Sequence, residues 1–569
     1  MGGLHVSNKP KLLIIGIDGA TFDIIKPLAA AGELPALAGL MGRGAHCLLK
    51  STIPPISPCA WTTFGSGVRP GKHGVLDFSY LAPGTYHLAR SYATHSRSRS
   101  VWELLEQAGL SVGLYNMPWS NPLAARRGYV IGGFDMLGTA QHCNPPRLAH
   151  EIAAALGPDA LASWSCWDDD GNLPPAALDV EVDRNTAVAR YLLTHHPTEV
   201  FAAVYLLSDR VQHFLYAADV DFANGDDPRA RLLLHTYKSL DNAVSQLLGL
   251  VPEDATVLVA SDHGARPVRG SLNLDAILAH LGVLAYREGL PHWSEMLAPR
   301  PSLRRRLLDP IWHRIRDVVR RRLPRARARI RFTPRSRQFS AVDWSRTKAF
   351  SWGFSPLFRV NLRGREPRGV VEPADYDAFC DDLAAQLRAY RHPDTDEPVF
   401  ELVEKAADLY QGPHAKAFAD LVAMTKDCAY ATNVRIPHPE APVVLDEQVQ
   451  VAYRRMAHHK PPLPIVSHHH PDGVCILAGP GIPAEEQMRG PASIADIAPT
   501  LLYLLGQPIP LEMDGQAMSG LLGSGSLAVR PPTYSDTPLS VAAQPQPLTY
   551  STEEARQVEQ RLRDLGYLE

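Results

Sequence analysis

Short apolar segments that end close to an aspartate most strongly constrain the fold of this chain. Leu12–Ile17 and Thr256–Ala260 are nearly free of polar residues, and an aspartate follows each within two residues. Val112–Tyr115 and Phe201–Leu207 have the same apolar character. Runs of four to eight such residues are typical of strands buried in a parallel sheet. We therefore predict four buried parallel strands.

Longer stretches with helical spacing of apolar residues lie between these runs, for example Ala187–Thr194 and Ala230–Leu250. Strands that alternate with helices predict an α/β fold, with a mostly parallel sheet sandwiched by helices. The pattern returns late in the chain, where we expect a strand at Val474–Ala478 and a helix at Asp496–Leu505. With 569 residues, the chain should hold a large core and an insertion.

We predict four regions on this basis. The catalytic core spans 10–266 and resumes at 465–523, and residues 267–464 form an insertion that caps the site. The insertion contains an arginine-dense segment, Pro301–Phe332, interpreted as a solvated helix face; contact with anionic lipid or a polyanionic substrate is the alternative. Residues 524–569 read as a linker followed by a C-terminal helix.

Composition excludes several partners. The formal net charge of -3 predicts no specific nucleic-acid partner. Seven cysteines without a C-x-x-C pair indicate reduced thiols and a cytoplasmic location. The apolar run after Lys11 is too short for a signal peptide, and no stretch approaches the ~18 apolar residues of a transmembrane segment.

Asp and His side chains follow three of the expected strands. Asp18 comes directly after the first, Asp209 and His213 after the third, and Asp262 and His263 after the fourth. The carboxyl ends of parallel strands meet at one edge of a sheet, where ligands bind. Asp209 and His213 share a face of a helical turn and can chelate one ion. Asp and His without Cys suit zinc or a related divalent ion.

His469 precedes the expected strand Val474–Ala478 and could reach the same edge through its loop. Simpler interpretations exist for each element. An Asp after a strand is commonly a cap, a D-x-x-x-H pair is commonly a surface ion pair, and the run His468–His470 is commonly solvated. The shared sheet edge and the sequence order favour a metal site.

Ser57 is the candidate nucleophile. Pro58 suits the first helical position, which makes Ser57 the expected N-cap. A hydroxyl there faces unpaired backbone amides and the positive end of the helix dipole, where a phosphate oxygen also binds. The alternative is a plain serine cap. A nearby metal ion would convert the hydroxyl into an alkoxide nucleophile.

Five segments share the motifs of one known family. They are Gly16–Gly19, Ser57 with Ser66–Val75, Ser208–His213, Ser261–Gly264 and Ser467–Gly473. Together they resemble the type I phosphodiesterase/nucleotide pyrophosphatase family of the alkaline phosphatase superfamily. Segments 361–367, 496–500 and 565–569 resemble bacterial members.

The resemblance implies an alkaline phosphatase-like fold and two divalent metal ions, usually zinc, although manganese or iron would also fit. One ion would take Asp18, Asp262, His263 and the Ser57 oxygen. The other would take Asp209, His213 and His469.

Two departures from the family pattern bear on the substrate. Nucleotide-hydrolysing members often place an asparagine after the H-G, where this chain has Phe78, so the phosphate contact must come from elsewhere; Asn116 or a backbone amide is the candidate. Cys59 lacks the sequence context of a sulfatase cysteine, so a sulfatase is disfavoured.

The expected activity is hydrolysis of phosphodiester or pyrophosphate bonds in a small phosphate-ester substrate through a phosphoseryl intermediate. A phosphomonoesterase or phosphotransferase using the same site is the alternative. A non-catalytic binding protein is disfavoured, because every expected ligand is present.

Overall fold

The computed structural model describes most of the chain. The described residues are 9–120, 127–132, 143–162, 167, 172–222, 226–297, 337–432, 434–456, 463–484, 486–487, 490–521 and 530–541. The arginine-dense segment Pro301–Phe332 and the helix expected at the end of 524–569 lie outside them, as does most of the expected linker.

A ten-stranded sheet forms the centre of the protein. In spatial order its strands are Glu486–Gln487, Ala45–Lys50, Asp472–Ala478, Thr256–Ala260, Leu12–Ile17, Val200–Tyr205, Val112–Met117, Tyr129–Gly132 and Cys143–Asn144, with Ala492–Ser493 also paired to Ala45–Lys50. Among the described strands of this sheet, Asp472–Ala478 and Cys143–Asn144 run against the direction that the others share. The predicted mixed, mostly parallel sheet is confirmed.

Helices cover both faces of this sheet. The strand Leu12–Ile17 shows the two-sided burial, because Leu12 and Ile14 enter one hydrophobic core while Leu13 and Ile15 enter the other. The first core includes the helices Ser57–Ser66, Val101–Gln107, Leu274–His280 and Ile497–Leu504. The second includes Phe22–Ala30, Pro35–Arg43, Arg147–Leu156, Pro175–His195, Leu207–Leu215 and Pro228–Leu248.

The predicted strand boundaries hold closely, with one informative exception. Leu12–Ile17 and Thr256–Ala260 are strands over the predicted residues. The run expected as a strand over Phe201–Leu207 is a strand only over Val200–Tyr205, and the helix Leu207–Leu215 begins within the same apolar run. Apolar character alone does not distinguish a buried strand from the buried first turn of a helix.

The antiparallel strand Asp472–Ala478 lies between Ala45–Lys50 and Thr256–Ala260. Its first residue pairs with Lys50, the last residue of its neighbour. An antiparallel strand starts at the edge where parallel strands end. The segment that precedes it, which carries His469, is therefore delivered to the carboxyl edge of the sheet.

A second, antiparallel sheet occupies the interval predicted as an insertion. Its four strands are Ala349–Trp352, Leu357–Val360, Leu421–Thr425 and Phe400–Lys405, and the helix Tyr376–Ala389 packs against Phe400–Lys405. Tyr86, from the hairpin of Ser79–Leu81 and Leu88–Arg90, stacks on Trp344 at 3.5 Å between ring centroids. Tyr86 also contacts Phe350 of the second sheet, edge-on at 5.8 Å, so the hairpin and this sheet pack together.

Smaller sheets and helices complete the described structure. The small strands are Gly264–Pro267 with Ser467–His470, Gly270–Leu272 with Tyr430–Ala431 and Val444–Leu445, and Ile509–Pro510 with Tyr534–Ser535. The remaining α-helices are Pro70–His73, Trp293–Leu297, Arg337–Ser340, Ala406–Leu409, Ala415–Phe418 and Glu447–Met456.

Within the described ranges, no single helix is long and apolar enough to cross a membrane; Phe22–Ala30 and Pro35–Arg43 pass that test only as a pair, and they meet at 97°. The six cysteines in this part of the chain are buried free thiols. The cytoplasmic location stays a prediction.

Candidate active site

Asp209, His213 and His469 converge at the carboxyl edge of the central sheet. Asp209 and His213 lie on the helix Leu207–Leu215, directly after a central strand. Asp209 Oδ1 is 3.4 Å from His213 Nε2 and 3.5 Å from His469 Nε2, and the two Nε2 atoms are 3.2 Å apart. All three residues are buried, and their ligand atoms are close enough to share one ion.

A second group forms around His263. Its Nε2 atom lies 3.7 Å from Asp18 Oδ1 and 3.4 Å from Asp262 Oδ2. Asp18, Asp209 and His263 also offer ligand atoms close enough for one ion. Asp209 thus belongs to both groups, which places the two candidate ion positions side by side.

Backbone carbonyls hold all three histidines in the same way. Nδ1 of His213 contacts the Ser467 carbonyl at 2.8 Å, Nδ1 of His263 contacts that of Gly264 at 2.9 Å, and Nδ1 of His469 contacts that of Pro55 at 2.9 Å. A carbonyl is only an acceptor, so each Nδ1 carries the proton and each Nε2 is left as the ligand atom. The Nε2 atoms of His213 and His469 thus face one group of candidate ligands, and that of His263 faces the other.

His469 lies on a short strand, Ser467–His470, rather than in the loop expected there. This strand pairs antiparallel with Gly264–Pro267, and Ala265 is opposite His469. The two strands bring the histidine of the late segment beside His263.

Ser57 lies at the same edge and differs in one respect from the prediction. The helix Ser57–Ser66 starts at Ser57 itself, because Ile56 is extended and occupies the N-cap position. Ser57 is therefore the first residue of the helix rather than its N-cap. Its Oγ atom lies 3.3 Å from His263 Nε2, and the residue is 1% exposed.

The loop before Ser57 is tied directly to the candidate ligands. Ser51 Oγ donates to the Asp262 carbonyl at 2.6 Å, and His469 Nδ1–H donates to the Pro55 carbonyl. Tyr410, from the insertion, donates to the Ile53 carbonyl. The position of the serine is thus coupled to the positions of two candidate ligands.

Asp18 has a second support that the sequence did not reveal. Trp61 Nε1 donates to Asp18 Oδ2 at 3.0 Å, one turn along the helix that starts at Ser57. Ser208 Oγ donates to the backbone carbonyl of Asp18 at 2.6 Å. From the sequence alone, Trp61 would be interpreted as a core residue. The structure is needed to show that its Nε1–H orients the Asp18 carboxylate.

Three buried carboxylates lie close together in the site, and the charges of neighbouring carboxylates raise the pKa values of two of them. Burial, followed by the charges of Asp262 and Asp209, raises the pKa of Asp18 well above its usual value. Burial and the charge of Asp209 raise the pKa of Asp262 to about 7. Burial also acts to raise the pKa of Asp209, but His213 and His469 outweigh it and hold that pKa well below its usual value.

Burial lowers the pKa of His263 and of His469 to about 4 in each case. Both are neutral near pH 7, which is the form that binds a metal ion.

The residues fit a bound cation. Asp18 Oδ1 and Asp262 Oδ2 are buried and have no hydrogen-bond partner among the described residues. Leaving a buried carboxylate oxygen unpaired costs free energy unless a positive charge neutralises it. Three oriented Nε2 atoms complete a donor set of Asp and His, which is typical of catalytic zinc.

Comparison with known proteins identifies the family. Residues 12–441 match the model of the type I phosphodiesterase/nucleotide pyrophosphatase family, which is more than half of the chain. The chain belongs to this family. The family predicted from the motifs is thereby confirmed, and the protein is a hydrolase of phosphate esters.

Two solved structures illustrate the likeness. Phosphonoacetate hydrolase from Sinorhizobium meliloti 1021, in complex with phosphonoacetate, is 14% identical, with 88% of this chain and 95% of that chain covered and a TM-score of 0.49. Human ectonucleotide pyrophosphatase/phosphodiesterase 5 is 12% identical, with coverage of 90% and 100% and a TM-score of 0.49. No curated protein matches this chain.

In this phosphodiesterase family member, Phe78, the residue at the position where the motif resemblance leads one to expect an asparagine, is fully buried. Its ring packs edge-on against Trp119 at 5.6 Å and against Phe354 at 6.2 Å. Asn116, the candidate phosphate contact, is half-buried, and its amide nitrogen donates to the Val204 carbonyl at 2.7 Å. That hydrogen bond holds Asn116 to the sheet, and its contact with substrate stays a prediction.

Proposed function

We propose that this protein cleaves phosphodiester or pyrophosphate bonds, with Ser57 as the nucleophile and two divalent metal ions, most simply zinc, as cofactors. The observation that carries the proposal is the place of Ser57 Oγ, which is buried and lies 3.3 Å from His263 Nε2. A buried hydroxyl at the start of a helix and beside a cluster of Asp and His is well placed to act as a nucleophile.

We assign Asp18, Asp262, His263 and the Ser57 oxygen to one ion, and Asp209, His213 and His469 to the other. The unpaired oxygens of Asp18 and Asp262 support the first set, and the distances of 3.2 to 3.5 Å among Asp209 Oδ1 and the two Nε2 atoms support the second. When bound, the ions supply Lewis-acid charge to the phosphoryl oxygens and to the serine oxygen.

The residues of the chain supply the nucleophile and a helix dipole beside it. Ser57 Oγ forms the bond to phosphorus as the bond to the leaving oxygen breaks, which gives a phosphoseryl ester and releases an alcohol or phosphate. Water then cleaves that ester and returns the hydroxyl. The helix Ser57–Ser66 begins at the nucleophile, and the positive end of its dipole would favour negative charge on a phosphoryl group bonded to Ser57 Oγ.

We keep a diester or pyrophosphate as the expected substrate, with a monoester as the alternative. A monoester dianion gains from an additional polar or cationic contact, whereas a second substituent on phosphorus is compatible with an apolar neighbour. Phe354 contacts His469, and the buried Phe78 packs behind Phe354.

The test compares hydrolysis of bis-p-nitrophenyl phosphate with that of p-nitrophenyl phosphate by zinc-loaded protein. Ser57→Ala should abolish turnover, while Ser66→Ala should retain it. Ser66 is a matched control, since it is a buried serine of the same helix whose hydroxyl donates to the Thr62 carbonyl.

Full activity of Ser57→Ala would overturn the nucleophile assignment. Faster cleavage of the monoester would favour the phosphomonoesterase alternative. Transfer of the phosphoryl group to an added alcohol would indicate a phosphotransferase. Zinc-loaded protein that cleaves neither ester and binds both would indicate the binding-protein alternative.

A further inference from the structure

A loop of the insertion contacts the candidate metal ligands directly. The Phe354 ring stacks on His468, with centroids 5.0 Å apart and planes at 20°. It also contacts His469, at 5.5 Å and 37°. His469 therefore lies against Phe354 as well as against His263, whose ring is 3.8 Å away.

Asp77, from the catalytic half of the chain, holds this loop. Its carboxylate accepts the backbone N–H of Phe354 at 2.9 Å and that of Ser355 at 3.4 Å, both at Oδ2. Oδ1 accepts the N–H of Ser79 at 3.3 Å. Asp77 is 1% exposed, and a buried carboxylate in such a place is retained only when backbone donors satisfy it.

The carbonyls of the same loop are held from another side. Arg435 donates to the Gly353 carbonyl at 2.7 Å, and Thr432 Oγ1 donates to the Phe354 carbonyl at 3.2 Å. Arg435 also donates to Ser351 Oγ, which donates in turn to Asp275 at 2.6 Å. The loop has four of its backbone groups bound by buried side chains, so its position is strongly determined.

Gly353 shows how closely the loop approaches Asp77. Its φ is +77°, which favours glycine. A Cβ atom there would lie 2.8 Å from Asp77 Oδ2. The close approach leaves no room for a side chain between the carboxylate and the backbone that it binds.

We propose that Asp77 is a positioning residue that fixes the Phe354 loop against His468 and His469 and thereby orients His469 for metal binding. The inference rests on the proposed function of the site, since it treats His469 as a metal ligand. The physical reason is preorganisation: His469 has its Nδ1 bound to the Pro55 carbonyl, and the Phe354 ring limits the remaining rotation of the imidazole.

Three variants separate positioning from charge and from general stability. Asp77→Ala removes the acceptor of the loop N–H groups. Asp77→Asn can keep an oxygen where Oδ2 is now, so it should retain the loop. Asp241→Ala is the matched control, because Asp241 is also buried and also accepts two backbone N–H groups, those of Ala36 and Leu37.

The measurement is zinc affinity by competition with a chromophoric chelator, together with the visible spectrum of the cobalt-substituted protein. Asp77→Ala should bind the ion assigned to His469 about 10-fold less tightly, as is typical when an outer support of a ligand is lost. Its cobalt spectrum should shift as well. Asp77→Asn and Asp241→Ala should keep wild-type affinity and spectrum, although Asp241→Ala lowers thermal stability.

The outcomes distinguish the inference from the function on which it rests. Wild-type protein that binds no zinc would refute the proposed metal site itself. Wild-type protein that binds zinc, with Asp77→Ala of equal affinity and unchanged spectrum, would overturn the positioning role alone. If Asp77→Ala does not fold, Phe354→Leu gives the same test with every hydrogen bond of the loop kept, and unchanged affinity there would also overturn the inference.

Discussion

The imidazole rings of His263 and His469 lie nearly face to face, with centroids 3.8 Å apart and planes at 22°. The short strands that follow and contain them, Gly264–Pro267 and Ser467–His470, pair with Ala265 opposite His469. The two histidines therefore have a common rigid support. Because they are assigned to different ions, a change in one ion position should be felt at the other.

Asp209 should influence both ion positions. Its Oδ1 atom lies 3.4 Å from His213 Nε2 and 3.5 Å from His469 Nε2, and it also shares a group with Asp18 and His263. We expect Asp209→Asn to weaken both ions, and His469→Ala to weaken mainly one, each beyond the ~10- to 100-fold cost of an outer-support change. Zinc per chain after gel filtration measures this, and two retained ions in Asp209→Asn would contradict it.

Trp61→Phe should lower metal affinity without large loss of packing. The variant keeps most of the buried ring and deletes the Nε1–H that donates to Asp18 Oδ2 at 3.0 Å. Losing such an outer support typically costs about 10- to 100-fold in metal affinity. Titration with a competing chelator is the measurement. Trp344→Phe, which alters a buried tryptophan stacked on Tyr86 in the insertion, should leave the affinity unchanged.

Chelated protein should lose the stability contributed by protonated Asp262 as the pH rises from about 4 to about 7. The pKa of Asp262 is raised to about 7 by burial and by Asp209, from a reference value of 3.8. A raised carboxyl pKa stabilises the folded state fully below the unfolded pKa, and this stability is lost as the pH rises through the folded pKa. The unfolding free energy of Asp262→Asn should therefore rise relative to that of wild type across this range, by up to a few kcal/mol.

Thermal denaturation of the two proteins with excess chelator gives the difference. His263 and His469 have lowered pKa values of about 4, so their contribution has the opposite sign over much of the same range. Both proteins contain these histidines, so their contribution cancels in the difference between wild type and Asp262→Asn. Saturating zinc should remove the difference or reverse it, because a bound cation holds Asp262 ionised. A constant difference across the range would show that Asp262 does not titrate there.

Gly19→Ala should damage the site, while Gly32→Ala should not. Both glycines have positive φ, +66° and +79°. A Cβ on Gly19 would lie 3.0 Å from Asp209 Oδ1, whereas nothing lies within 4 Å of one on Gly32. Each change costs roughly 1–2 kcal/mol of backbone strain. We expect only Gly19→Ala to lose metal binding as well, measured by zinc content and denaturation together.

The sequence predicts the metal-binding edge because the relevant order is local. Asp18, Asp209 and Asp262 each follow an apolar run, and parallel strands must end at a common edge. The hydrophobic runs alone therefore predict both the sheet and the edge at which these side chains meet.

The parts that the sequence misses depend on distant pairing. The segment Ser467–His470 has no apolar alternation, and it is a strand only because Gly264–Pro267 pairs with it. The support of Asp18 by Trp61, and of the Phe354 loop by Asp77, are side-chain contacts between separate elements. Such contacts follow from the packed structure and leave no periodic signal in the sequence.

The strand Asp472–Ala478 is made late in synthesis, yet it lies between Ala45–Lys50 and Thr256–Ala260, which are made early. Before this strand is made, Ala45–Lys50 and Thr256–Ala260 would each have an unpaired edge, and unpaired strand edges can pair with other chains. The same late segment carries His469. Adding this strand therefore pairs both of these edges and completes the proposed set of metal ligands in the same step. A ribosome-bound chain that lacks the strand would have an incomplete sheet and would lack His469.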